Sequence, residues 1–184
     1  MSDTTFPDVL VFDVNETLLD ITTLSPLFSR VFGDESVLRE WFAQLVLYSQ
    51  TMTLSQRYTH FGALGVGALK MVADIHQVRL ADDDIDELKS RMAEMPAHPD
   101  VAPALERLKQ AGFRLVTLTN SPAGASPTPL EKAGISEAFE QHFSVDSVKQ
   151  FKPAPATYQH VAEQLEVELG DMCMIACHVW DTIG

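Results

Sequence analysis

Apolar residues change their spacing several times along this chain, and each change marks an element. The first is Val9-Leu10-Val11-Phe12, a short continuous apolar run typical of a strand buried on both faces. It leads into Asp13-Val14-Asn15-Glu16-Thr17. From about Leu24 to Met95 the spacing becomes helical, with Phe28, Val31 and Phe32, then Leu38, Trp41, Phe42, Leu45 and Val46. A second helical stretch covers Leu54 to Val78. A third runs from Asp84 to Met95, after the acidic run Asp82-Asp83-Asp84 that reads as a solvated helix start.

Pro96 and Pro99 close that block. Beyond them the pattern predicts a helix over Val101–Ala111, ended by Gly112, and a strand over Leu115–Thr119. A loop with Pro122, Gly124, Pro127 and Pro129 follows, then a short helix and a short strand at Phe143-Ser144-Val145. The last units are a helix over Ala154–Leu165 and a strand over Met172–Ala176. Strands alternating with helices predict an α/β fold with a doubly wound, Rossmann-like parallel sheet. The helical insert is then expected above the carboxyl ends of the strands, where such sheets bind ligands. The expected boundaries are a core over 1–18 and 97–184 and a helical cap over 19–96.

Composition narrows the classes of partner. The 184 residues carry 13 basic and 26 acidic side chains, a formal net charge of −13. That balance argues against nucleic acid or an anionic membrane surface as the main partner. No apolar run reaches the roughly 18 residues of a membrane span, and no secretory leader pattern opens the chain. Cys173 and Cys177 are too few for a disulfide framework and read as core thiols, which points to a reducing cytoplasm. Gly62, Gly65 and Gly67 lack the Lys-Ser/Thr of a phosphate loop and read as close helix packing. The six histidines show no pair at zinc-ligand spacing.

The polar clusters fall where strands end. Asp13 to Thr17 follows the first strand, Thr119-Asn120-Ser121 the second and His178 to Asp181 the last, while Lys152 precedes the penultimate helix. Asp13 fits a nucleophile, a metal ligand or a helix cap. Lys152 is either a surface lysine or, in a crevice, the ammonium that keeps an aspartate ionised and aimed. Thr119, Asn120 and the amides near Ser121 form either an anion cradle or simple turn chemistry. Asp181 is a surface acid or a member of the same crevice.

In order along the chain, Phe12-Asp13-Val14-Asn15-Glu16-Thr17-Leu18, Leu118-Thr119-Asn120-Ser121, Lys152-Pro153 and Trp180-Asp181 resemble the four motifs of the haloacid dehalogenase superfamily. Lys-Pro followed by Tyr158, with the Trp-Asp pair, is similar to the 2-haloacid dehalogenase (type II) branch. The resemblance implies that Asp13 displaces halide from C2 of a small haloacid, forming an ester that water hydrolyses to a 2-hydroxyacid. It implies that Thr17, Thr119 and Lys152 hold the Asp13 carboxylate and that Asp181 orients Lys152 and the hydrolytic water. Substrate is implied to meet Val14, Asn15, Phe42, Asn120, Ser121, Tyr158, His178 and Trp180. The resemblance also implies a homodimer through the cap.

The chain departs from the family pattern in three respects. Phe42 stands where the family places a halide-receiving Arg, with Arg39 three residues away. His178 and Ala176 replace the usual Asn and Ser. The chain ends at Gly184, where the family continues, so a truncated form is expected. The competing readings are a magnesium-dependent phosphatase of the same superfamily and a degenerate, non-catalytic member. Asn15 stands where the phosphatases need an acid, and an amide cannot serve as a general acid. Only Asp13 and Asp181 remain for a hard cation, so no metal or cofactor is expected.

Overall fold

The computed structural model describes residues 7–124 and 126–184. Residues 1–6 of the expected core segment lie outside the described part. Four parallel strands form one sheet in the order β3-β2-β1-β4, where β1 is Val9–Phe12, β2 Arg114–Thr119, β3 Gln141–Ser144 and β4 Met172–Ile175. Val9 pairs with Arg114 on one side and Met172 on the other, so β1 is the central strand. All of its residues are buried, which is why it reads as an unbroken apolar run. The chain extends the sheet outward from β1 through β2 to β3, then returns to place β4 on the opposite side of β1. That reversal puts a crevice at the carboxyl end of β1.

Between β1 and β2 the chain forms α1 (Ser25–Phe32), α2 (Val37–Leu54), α3 (Phe61–Ile75), α4 (Asp82–Ala93) and α5 (Val101–Gln110). Pro26 in the first turn of α1 and Gly33 at φ +73° after its last residue supply start and stop signals. The helical stretch expected from Leu54 to Val78 begins later, because Leu54 ends α2 and residues 55–60 form a connection. Trp41, Phe28, Leu45 and Leu69 pack the block's interior, each contributing about 1.5–3 kcal/mol by leaving water. The Trp41 indole donates to the Gly65 carbonyl at 2.9 Å.

The close-packing reading holds for Gly65, where an added Cβ would sit 3.6 Å from Trp41, and fails for Gly62 and Gly67, which face open space. The acidic run also needs correction. Asp84 is buried and accepts from the Ala81 N–H and the Arg30 guanidinium at 2.8 Å each, tying α1 to α4. Its pKa lies below the usual carboxylate value chiefly through that backbone bond.

The block's two connections meet. Leu19 bridges Ala97 in antiparallel fashion, the Asp20 N–H donates to the Pro96 carbonyl at 2.8 Å, and the His98 N–H donates to Leu18 at 3.0 Å. After β2 come α6 (Pro129–Lys132), β3, α7 (Pro155–Leu165), β4 and α8 (Val179–Ile183). β3 starts two residues before the expected Phe143 because Gln141 and His142 are exposed, so the apolar signal marks only its buried half. Cys177 is not a core thiol: β4 ends at Ile175, which leaves Cys177 exposed and Cys173 half-buried.

Candidate active site

Asp13 follows β1 directly, and its N–H still donates to the Ile175 carbonyl of β4 at 3.0 Å. The next residues fold into a tight loop in which Leu18 and Leu19 both donate to the Val14 carbonyl. Glu16 takes a left-handed backbone, φ +67°, which turns the chain so that Thr17 points back at Asp13. The Thr17 hydroxyl donates to Asp13 Oδ2 at 2.7 Å and itself accepts from the Cys177 N–H at 3.1 Å.

Lys152 is wholly buried and holds the centre. Its Nζ donates to Asp13 Oδ1 at 2.8 Å, Asp181 Oδ2 at 2.6 Å and the Leu118 carbonyl at 3.0 Å. An ammonium has three protons, and all are used. Its backbone N–H donates to Asn120 Oδ1 at 2.9 Å, which fixes the approach of the segment before α7 to the end of β2. The surface-lysine and surface-acid readings of Lys152 and Asp181 are both excluded.

Tyr158, on the first turns of α7, donates to Asp181 Oδ1 at 2.6 Å. Burial pushes the Asp181 carboxyl above the usual carboxylate value, against the pull of Lys152 and Tyr158. The Tyr158 phenol is likewise pushed up, by burial first and by Asp181 second. Among the described residues every buried side-chain polar atom has a hydrogen-bond partner.

The remaining expected residues divide into two groups. Asn120 is buried beside Lys152, and the Asn15 amide donates to the Ser121 hydroxyl at 3.3 Å, so the first and second motifs do converge. Thr119 does not hold Asp13. Its hydroxyl accepts from the Ser121 N–H at 3.1 Å, the local turn chemistry of a hydroxyl residue two positions back. Val14 is buried.

Phe42, His178 and Trp180 form a stack. The His178 ring lies 5.8 Å from Phe42 and 5.5 Å from Trp180, at interplanar angles of 24° and 19°. They stand in the wall of a cleft of about 950 Å³ between the helical block and the segments that follow β1 and β4, lined also by Glu16, Arg39 and Val46. Asp13 is not part of that lining and keeps 6% exposure. Glu16, absent from the expected site, binds His178 through Oε2 at 2.6 Å. No periodicity marks a half-buried loop glutamate, and only the fold brings it to His178.

A parallel sheet in this order, carrying an aspartate after its central strand and a buried lysine between two carboxylates, defines an α/β fold with a polar site at the carboxyl ends of its strands. The family model for haloacid dehalogenase-like hydrolases matches residues 7–181. The chain belongs to that family. It is 31% identical over 176 residues to (S)-2-haloacid dehalogenase 1 of Pseudomonas sp. (strain CBS-3), covering 95% of this chain and 78% of the relative. It is 29% identical to (S)-2-haloacid dehalogenase 4A of Burkholderia cepacia, covering 95% and 76%. A crystal structure of a dehalogenase in an intermediate complex superimposes with TM-score 0.86 at 28% identity, covering 95% of this chain and 78% of that one.

Proposed function

We propose that this protein hydrolyses small 2-haloacids through an aspartyl ester on Asp13. The observation that carries the reading is the Asp13 carboxylate, held at one oxygen by Thr17 and at the other by Lys152. A carboxylate is a modest nucleophile, and fixing it for in-line attack supplies roughly 7–11 kcal/mol through proximity. An Asp13 oxygen bonds to C2, the carbon–halogen bond breaks, and halide leaves with the electron pair. Water then adds to the Asp13 carbonyl carbon and the ester C–O bond of that carbon breaks. The 2-hydroxyacid departs with the former Asp13 oxygen, and the solvent oxygen stays on the protein.

In this reading Lys152 holds and aims the Asp13 carboxylate, and Asp181 with Tyr158 positions Lys152. Asp181 is 1% exposed, which supports the positioning role over direct contact with water. The substrate carboxylate meets Asn120 and the amides near Ser121, while Val14, Asn15, Phe42, Tyr158, His178 and Trp180 surround the acid. Residues 19–96 act as a cap on a core of 1–18 and 97–184, supported by the paired connections at Leu19 and Ala97. No metal takes part in the step. The amide of Asn15, engaged with Ser121, offers no acid where the phosphatases of this superfamily have one.

The same reading includes a cytoplasmic homodimer with no nucleic-acid or membrane partner. The unpaired Cys173 and Cys177, the charge of −13 and exposed Leu47 and Tyr48 on α2 support it. Among the described residues no helix is long and apolar enough to cross a membrane.

A single-turnover reaction in heavy-oxygen water tests the central step. The first turnover places the label on Asp13, seen by mass spectrometry of the peptide. Label in the first-turnover product instead shows direct water attack and overturns the proposal.

A further inference from the structure

At the rim of the cleft a second cluster has chemistry unlike that of Asp13 and Lys152. Glu16 Oε2 and His178 Nε2 are 2.6 Å apart, and the Cys177 thiol joins them so that the three ligand atoms lie within 4.8 Å of one another. Two of the three are held in place by their surroundings. The Glu16 N–H donates to Leu19, its carbonyl accepts from the His98 ring at 3.1 Å, and the His178 ring lies between Phe42 and Trp180. The loop after β1 and the residues after β4 therefore present ligands toward a common point.

We propose that Glu16, Cys177 and His178 form a metal site of the zinc class at the cleft rim, and that filling it inhibits the hydrolase. One thiolate, one imidazole and one carboxylate are a zinc donor set, and their two negative charges offset the ion's two positive ones. Magnesium and calcium ask for six or more oxygens, which this cluster does not offer. Zinc bonds of about 2.0–2.3 Å set tetrahedral ligand atoms roughly 3.3–3.8 Å apart, so Glu16 and His178 need to part by about 1 Å. The ion takes the place of the proton between Glu16 and His178, and the Cys177 thiol releases its proton to solvent. A fourth position stays open to water or to an anion.

Inhibition follows from what the ligands already touch. Glu16 and His178 line the cleft, so an ion there captures a haloacid carboxylate before it reaches Asp13. Cys177 also donates its N–H to Thr17, the residue that holds Asp13, so coordination constrains the nucleophile's own support.

Metal-stripped, tag-free protein titrated with zinc by calorimetry and with cobalt by absorption tests the site independently of activity. Zinc binds one to one, and cobalt gives a thiolate-to-metal charge-transfer band in the near ultraviolet. Cys177→Ser removes the band and weakens zinc at least about tenfold, as loss of a ligand should when even outer-sphere changes cost that much. Glu16→Gln weakens zinc likewise, whereas Cys173→Ser changes neither signal. Absence of one-to-one binding, or binding indifferent to Cys177→Ser, overturns the site. In the kinetic arm zinc lowers haloacid turnover, a chelator restores it, and Cys177→Ser escapes the inhibition. Zinc bound through Cys177 with turnover unchanged overturns the inhibitory half. A protein inactive on every haloacid contradicts the dehalogenase reading and the inhibitory half together, and the binding arm still decides the site.

Discussion

Lys152 Nζ and Asp181 Oδ2 lie 2.6 Å apart with both side chains wholly withdrawn from solvent. Burying two charges costs several kcal/mol per ion, and their attraction offsets it only when the remaining donors and acceptors are satisfied. Here Asp13, Leu118 and Tyr158 complete the set. Lys152→Met leaves two carboxylates in that space without a counter-charge. It is expected to lose turnover and about 3–5 kcal/mol of stability, read from urea denaturation. Lys152→Arg is not expected to restore turnover, because a planar fork cannot aim at three acceptors grouped around one ammonium.

Removal of Asp13's charge has the opposite effect on stability. The cluster of Asp13, Lys152 and Asp181 carries one excess negative charge, and Asp13→Asn leaves a neutral pair. The variant should fall to background turnover while its melting temperature holds or rises. A variant that is inactive because it is unfolded would show loss of the cooperative melting transition instead.

Acidity separates the roles of Asp181 and Tyr158. Burial raises the Asp181 pKa above its ordinary 3.8, and the Tyr158 hydrogen bond opposes that rise. Turnover should therefore fall as pH drops through the raised value, where Lys152 loses the charge of one of its two carboxylate partners. Tyr158→Phe removes a stabiliser of the charged form, so the acid limb of kcat should move to higher pH. The stability sign is the reverse of that for a salt-bridged acid. Between 3.8 and the raised value the folded state holds a proton that the unfolded state has lost, so Asp181's contribution to stability declines as pH rises across that window. Asp84, whose pKa is lowered, contributes stability that is full above 3.8 and lost as pH falls below it. Denaturation midpoints of Asp181→Asn and Asp84→Asn across this range check both directions.

On the proposed reading halide departs past Phe42, in the wall of the cleft with His178 stacked on it. Charge-assisted donors are roughly twice as strong as neutral ones, and an apolar ring supplies none. Turnover should be slow and biased toward the smallest acids, chloroacetate ahead of 2-chloropropionate. Phe42→Arg should raise both rates where the cleft admits the longer side chain. Rapid turnover of both substrates by the unaltered protein contradicts this account.

Much of this was legible from the chain alone, for a reason visible in the elements. β1 and β2 are buried on both faces, so their apolar runs are continuous, and the polar residues after them fall at the sheet's carboxyl edge. Lys152 and Asp181 could be placed in one crevice, though their ionisation partners come from the fold. The resemblance puts Thr119 on Asp13, whereas its hydroxyl serves its own turn, a competition that spacing does not reveal. Cys177 reads as a core thiol but is exposed, because an apolar run over Met172–Ala176 does not mark where pairing with β1 ends. Glu16 carried no signal at all, since its role depends on a left-handed backbone and on a histidine far along the chain.

The pairing of Leu19 with Ala97 has an evolutionary reading as well. The two ends of the intervening segment emerge side by side, locked by the Asp20–Pro96 and His98–Leu18 hydrogen bonds. Any replacement segment whose ends can meet the same short clasp joins the sheet without disturbing the register of β1 against β2. Closing a longer segment there adds only about 0.6 kcal/mol of entropy for each doubling of its length. Selection can thus exchange residues 19–96 as a cassette while the strand that precedes Asp13 stays as it is.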